Sequence, residues 1–436
     1  MTAYESLEKI RSGEIALSDF ITAIFETIEK KEPRLQVFAP HTYDRSWIQN
    51  HARMLTDAYP NPGGRPPLFG LPVGIKDIIR VDGYETRCGS KLPPSLFRGE
   101  EASSVKRLKD AGALMFGKTV TAEFAGTAPG PTRNPHNPDH TPGGSSSGSA
   151  AGVAAGYFLL ALGTQTSGSV IRPAAFCGVV GFKPSLGRVP TDGVIPFSRS
   201  TDHVGIFVPD TSLITPVMNA VSDGWKPVPA SVQMDGPDRT VRLGIPEGPY
   251  LDKTLRPAIG HFRKTIDRIG ENGFIVRPVP VFDDIETLHR CHRRLVTGEI
   301  TRVHRKWYRD HSGLYRRRTA AYFDAGREVT EEELEQLRGM QMKLRDRIES
   351  LMEKHEIDAW ICPAATGAAP KGIDSTGDPI MNMPWTNAGL PAITIPDGTD
   401  GSGLPYGLQI AGKFMEDEKT AAIAGALEKL DHLQFG

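Results

Sequence analysis

The sequence predicts an α/β protein whose central sheet, mixed or parallel, is covered by helices on both faces. Three observations carry that expectation. Short apolar segments alternate with amphipathic segments of helical period along most of the chain. Several short segments are apolar almost throughout, YFLLALGT at 157–164 most clearly, as a strand buried on both faces requires. Turn formers are in excess: 46 Gly and 35 Pro make up almost a fifth of the 436 residues, above average globular usage and below that of disordered chains.

The elements follow in order. Ser18 is a candidate N-cap for a helix over 18–30, with Ile21, Ile24, Phe25 and Ile28 on one face. A second helix is expected over 44–57. NPGGRPPLFGLPVG (61–74) has eight Gly or Pro in fourteen residues and feeds the apolar segment VGIKDIIRV, a buried strand. Residues 100–111 read as helix and ALMF as strand. A second Gly/Pro cluster over 126–148 reads as loop, followed by the small-residue helix SAAGVAAG and the strand YFLLALGT. The stretch 168–185 reads as a helical turn and a further strand. VRLGIP (241–246), FIVRP (274–278), AWICP (359–363) and AITIP (392–396) are strand candidates. Amphipathic helices are expected at about 254–270, 283–320, 331–355 and 416–430. In the 331–355 helix, Leu334, Leu337, Leu344, Ile348 and Leu351 fall at core spacing, with Met340 and Met342 among them.

Composition excludes several functions. Lys+Arg 51 against Asp+Glu 52 leaves a net charge of −1, so no global field attracts nucleic acid or an anionic membrane. No apolar run approaches the roughly 18 residues of a membrane span. MTAYESLEKIRSGE lacks a basic stretch followed by an apolar core, so no signal peptide is expected. Cys88, Cys177, Cys291 and Cys362 show no CxxC spacing, which suggests reduced thiols and a cytoplasmic location. His289-Arg290-Cys291-His292, with His304 and His311, lacks the spacing of a tetrahedral metal site, so no metal or other cofactor is expected. The ten Arg and Lys of 290–318 read as a solvated helical face.

Three motifs compete for the chemistry. Gly112–Thr119 matches GxxxxGK[ST] formally, but its four middle residues, Ala, Leu, Met and Phe, read as the strand itself and leave no phosphate loop. Gly144–Gly148 matches GxSxG around Ser146, yet the proline-rich NPHNPDHTPG before it is no central strand, so a nucleophile elbow is not expected. The third is a constellation of Lys76 in LPVGIKD, Ser145 in TPGGSSSGSAAGVAAG and Ser169 in LGTQTSGSVIRPAAFCGVVGFKPS. From the residues alone, Ser169 lies between a Gly-rich turn and a short helix. Backbone N–H groups of Thr166, Ser167, Gly168 and Ser169 can converge there on a developing oxyanion. Lys76 sits in an apolar strand, where burial disfavours its charged form and suits it to act as a base. Each residue also has an ordinary alternative: Lys76 in a surface ion pair with Asp77, and Ser145 and Ser169 as helix caps.

With GKT (117–119), NMPWTNAGLPAITIPDG (382–398) and GLPYGLQIAG (403–412), these stretches resemble the amidase signature family, the Ser–cis-Ser–Lys amide hydrolases. The likeness is strong over 70–205 and returns at 380–430. It implies a single amidase-signature domain over 1–436 with a divergent, mainly helical subdomain at 283–356. It also implies Ser169 as acyl-enzyme nucleophile, Ser145 after a cis peptide as proton relay, Lys76 as base, and Thr166, Ser167 and Gly168 as oxyanion hole. Phe124, Ala125 and Gly126 align with a segment lining the acyl pocket, and Arg172 of GSxR is expected to be a structural ion-pair partner. Gln165 and Ser167 depart from the family pattern, which commonly has Asp and a Gly or Ala there. The implied activity is hydrolysis of an amide, anilide, carbamate or ester, by a monomer or homodimer whose partner is a small-molecule substrate. The alternatives are a glutaminase-type subunit of a tRNA-dependent amidotransferase, which acts within a complex, and a non-catalytic interaction protein on the same fold.

Overall fold

The structure is a computed structural model that describes residues 1–226 and 241–430. Its ten strands are β1 Pro72–Lys76, β2 Leu114–Thr119, β3 Leu160–Gln165, β4 Val180–Lys183, β5 His203–Val208, β6 Arg242–Glu247, β7 Ile275–Pro280, β8 Ala359–Pro363, β9 Ala392–Thr399 and β10 Pro405–Ala411. They form one sheet in the order β2-β1-β3-β5-β4-β9-β10-β8-β6-β7. The sheet is mixed. β2, β1 and β3 are parallel at one end, β8, β6 and β7 at the other, and the strands between pair antiparallel.

The helices are α1 Ala3–Ser12, α2 Leu17–Leu35, α3 Arg45–Ala58, α4 Ser103–Asp110, α5 Ser147–Ala154, α6 Ile171–Cys177, α7 Ile214–Val221, α8 Arg256–Glu271, α9 Ile285–Val303, α10 Arg305–His311, α11 Arg317–Gly326, α12 Glu331–Lys354, α13 Met383–Asn387 and α14 Asp417–Glu428. Strand side chains alternate between two cores, as the pleat demands. Leu160, Leu162, Val204 and Ile206 enter one core, while Ala161 and Phe207 enter the other with Phe25 and Ile28 of α2. Both faces of the central strands are therefore covered, and their sequences are apolar in consequence. None of the helices among the described residues is long and apolar enough to cross a membrane.

Several expectations need correction. The first long helix begins at Leu17 with Ala16 at the cap, so Ser18 lies inside it and its hydroxyl turns to Asp19. The segment 283–320 is not one helix. It breaks after Val303 and again at the tight turn Ser312–Leu314, giving α9, α10 and α11. In α12 the buried row is Leu334, Leu337, Gln341, Leu344, Ile348 and Met352, while Met340 and Met342 face solvent. Two strands, β5 and β10, and helices α1, α7 and α13 were not anticipated. The 283–356 block has a small core of its own (Leu295, Val329, Leu334 and Leu337), and Val296, Ile300 and Phe323 join it to the main core.

Candidate active site

β1 ends on Lys76, which the apolar strand carries wholly into the interior. Its Nζ donates to Ser145 Oγ at 2.8 Å, to Thr164 Oγ1 at 2.8 Å and to Thr164 O at 3.4 Å. Burial drives its pKa well below the ordinary lysine range, opposed by the carboxylate of Asp202. The alternative reading, a surface pair with Asp77, does not hold. Asp77 is also buried and pairs with Lys118 of β2, Nζ to Oδ1 3.0 Å. The reason is the pleat: consecutive residues at the end of β1 point to different sides, and the parallel neighbour β2 supplies the second lysine. That lysine belongs to the GKT motif, whose preceding residues are strand and not phosphate loop.

The peptide bond Gly144–Ser145 is cis. Its neighbours are held from several sides: Arg172 Nη2 donates to Gly144 O at 2.6 Å, and the backbone N–H of Ala122 donates to Ser145 O at 3.0 Å. Arg172 does not form the expected ion pair. Its guanidinium is buried and donates to carbonyls, Gly144 O and Thr376 O, because the loops on either side present backbone oxygens there; among the described residues no carboxylate lies within pairing distance. Ser146 also faces inward, its hydroxyl on Thr164 O at 3.2 Å.

Ser169 follows β3 on the turn into α6 and is 8% exposed. Gln165 Oε1 accepts the N–H groups of Val170 and Ile171 at 2.7 and 3.0 Å, so it occupies the start of α6. Among the described residues no acceptor takes the N–H groups of Ser167, Gly168 and Ser169. Thr166 Oγ1 donates to Asp202 Oδ1 at 2.6 Å. Asp202 also accepts Phe197 and Ser198 N–H, and burial pushes its pKa up to about 6. Gly168 packs so closely on Asn382 Oδ1 and Arg172 Nη1 that a Cβ there would lie 2.5 and 2.8 Å from them, which explains a glycine beside Ser169.

Phe124, Ala125 and Gly126 form a tight turn with positive φ at Phe124 and Ala125. The Phe124 ring enters an aromatic cluster with Phe97, His304, Trp307 and Tyr315 and is 2% exposed. Glu123 ties this turn to the helical block by accepting from Thr319 Oγ1 and Arg316 N. Much of the basic run faces solvent, as at Arg305, Arg309 and Arg317. Among the described residues no three His, Cys, Asp or Glu side chains come together as metal ligands. Sequence reasoning missed Thr164, Asp202 and His292. Thr164 was visible as the one polar side chain inside YFLLALGT, an anomaly in a buried strand that asks for a partner.

The fold and these segments define a class, the hydrolases of carbon–nitrogen bonds built on the amidase sheet. The family model described as Amidase matches residues 19–420, and the chain belongs to the amidase signature family. Among curated proteins it is similar to a glutamyl-tRNA(Gln) amidotransferase subunit of Exiguobacterium sp. (strain AT1b), 30% identical over 96% of this chain and 95% of that one. Among solved structures it is similar to one described as an amidase, at a TM-score of 0.87, 30% identity and coverage of 98% of this chain and 99% of that one. The peptide amidase from Stenotrophomonas maltophilia superposes at a TM-score of 0.82, with 26% identity over 100% of this chain and 98% of that one.

Proposed function

We propose that the chain hydrolyses a small-molecule amide, anilide or carbamate through an acyl-enzyme on Ser169, with Ser145 as proton relay and Lys76 as base. The observation that carries this reading is the state of Lys76. It is fully buried, and its partners among the described residues are two hydroxyls and a carbonyl, none of them anionic. Burial disfavours the charged form of a lysine so placed, and its amine, when neutral, lies 2.8 Å from a serine hydroxyl whose proton it can take.

Lys76 Nζ takes the Ser145 proton as Ser145 takes the proton of Ser169, whose Oγ adds to the substrate carbonyl. The N–H groups of the 166–169 turn receive the oxyanion, Thr166, Ser167 and Gly168 being the proposed hole. Collapse breaks the C–N bond; the departing nitrogen takes a proton from Ser145, which recovers it from the Lys76 ammonium. Water then adds to the acyl-enzyme by the same route and releases the acid. No metal or cofactor enters these steps. The turn Phe124–Gly126, tied to 283–356 through Glu123, is proposed to shape the acyl side, with that block as a subdomain of one 1–436 domain.

A second reading, hydrolysis of glutamine within an amidotransferase complex, is favoured by the full-length similarity to an amidotransferase subunit. Rates on aryl amides, carbamates, esters and glutamine separate the two. Activity on glutamine alone, raised by added partner proteins, selects the second; kcat/KM highest on an amide or carbamate without a partner selects the first. Lys76→Ala is expected to lose at least about a thousandfold in kcat on whichever substrate is best. Near-wild-type turnover in that variant refutes the base assignment.

A further inference from the structure

One set of polar side chains at the nucleophile turn has no part in those steps. Ser167 Oγ lies 2.8 Å from His292 Nε2, and His292 Nδ1 lies 3.2 Å from Asn387 Oδ1. The three residues come from three elements: the turn after β3, helix α9 of the 283–356 block, and helix α13. Ser167 is half-buried, whereas His292 and Asn387 are 3% and 5% exposed.

The tautomer with the proton on Nδ1 lets the ring donate to the amide oxygen of Asn387 and accept the Ser167 hydroxyl at Nε2; the Thr166 backbone is a further partner of the ring. The arrangement has the outline of a Ser–His–Asn nucleophile system, but the magnitudes decide against that role. Burial pushes the His292 pKa down to about 4, so the ring resists becoming the imidazolium that a general base must become. It is a fixed acceptor.

A second clamp acts on the same turn. Thr386 Oγ1 of α13 donates to Ser167 O at 2.7 Å and accepts from Gln165 Nε2 at 2.8 Å, while Gln165 Oε1 holds the start of α6. Gln165 and Ser167 are the two positions at which this turn departs from the family pattern. The Gln165 side chain ties the turn to α13, and the Ser167 hydroxyl ties it to α9.

We propose that Ser167, His292 and Asn387 form a positioning relay for C–N bond hydrolysis. The relay holds the backbone of Ser167, Gly168 and Ser169 against the helical block 283–356, so that His292 governs turnover without touching substrate. The proposal rests on Ser169 being the nucleophile. Its logic is that an oxyanion hole works through N–H groups fixed before the charge develops, and a turn rich in small residues needs an external tether.

The test is a double-mutant cycle in the intact enzyme with Ser167→Ala, His292→Phe, the double variant, and His292→Gln. The readouts are kcat and KM on the best amide, the rate of Ser169 labelling by a fluorophosphonate, and the melting temperature. Each single variant is expected to lose about tenfold in kcat, the effect of one lost hydrogen bond realised in the transition state, with KM within about twofold. Labelling slows in parallel. The double variant is no slower than the worse single, and His292→Gln, whose amide oxygen can accept the same hydroxyl, keeps most of the rate. A Ser167→Ala variant with wild-type kcat overturns the relay, as do additive losses in the double variant or a change confined to KM. If His292→Phe fails to fold, Ser167→Ala alone decides, because it removes one oxygen from a half-buried residue. Absence of Ser169 labelling in wild type overturns the nucleophile reading itself. Labelling that is equal in wild type and Ser167→Ala overturns the relay alone.

Discussion

Thr164→Val gives a direct test of how the surroundings of Lys76 bias its protonation. The substitution preserves shape inside β3 and removes the hydroxyl that accepts from Lys76 Nζ at 2.8 Å. The remaining partners are Ser145 Oγ at 2.8 Å and Thr164 O at the long distance of 3.4 Å. A hydrogen bond to a charged group contributes about 1.5–3 kcal/mol and one between neutral groups about 0.5–1.5, so the ammonium loses about 1 kcal/mol more than the amine. That difference weakens proton affinity about fivefold and moves the acid limb of kcat/KM toward lower pH. The base works when unprotonated, so activity falls as pH falls through the limb, and the variant keeps its base neutral further into acid. The assay is kcat/KM on a chromogenic amide across the limb, expressed as the ratio of variant to wild type. That ratio is expected to rise about fivefold from plateau to acid side, whatever happens to the plateau itself. A ratio that stays constant, or falls, refutes the claim that Thr164 biases the protonation of a catalytic Lys76.

Two further predictions concern ion pairs of the framework. Lys118→Met leaves Asp77 buried without its cation and is expected to destabilise the fold by about 3–5 kcal/mol, with partial recovery when Asp77→Asn is added; an unchanged urea midpoint in the single variant contradicts it. His261 of α8, with Nε2 3.3 Å from Asp397 Oδ2, has its pKa raised by that carboxylate. A raised folded value means that the stabilisation is complete below the unfolded value of about 6.5 and is lost as pH rises through the folded value. The melting-temperature gap between wild type and His261→Gln is therefore expected to be wide near about pH 5.5 and to close in the alkaline range; a gap independent of pH refutes the pairing.

Much of the sheet was legible because its central strands are buried on both faces. Ala161, Leu162 and Phe158 had to be apolar wherever they pointed, and runs such as YFLLALGT announce that. β10 was not legible for the opposite reason: Pro405, Gly407 and Gln409 interrupt any strand pattern, and the strand is secured by its antiparallel partners β9 and β8. β5 carries an apolar run but pairs with β3 across some forty intervening residues, a contact that local pattern does not encode. The second break in 283–320, between α10 and α11, turns on Ser312-Gly313, two poor helix formers inside a basic amphipathic stretch.

The site divides in the same way. Lys76, Ser145 and Ser169 stood out through motif order, and the structure brings the first two to hydrogen-bond distance. The groups that tune them come from far along the chain. Thr164 is 88 residues from Lys76, and His292 is 125 from Ser167. His292 looked in sequence like a surplus histidine beside a cysteine. Its partner, Ser167, was visible as a departure from the family pattern.

The central claim is that Ser169 carries the acyl group. Mass spectrometry of the enzyme quenched during turnover of a slow amide or carbamate, followed by peptide mapping, tests it most directly. The expected result is an adduct of the acyl mass on the peptide containing Ser169, absent from Ser169→Ala and accumulating when deacylation is slow. An adduct on Ser145, Ser146 or Ser167 instead, or full turnover by Ser169→Ala with no adduct, contradicts the account.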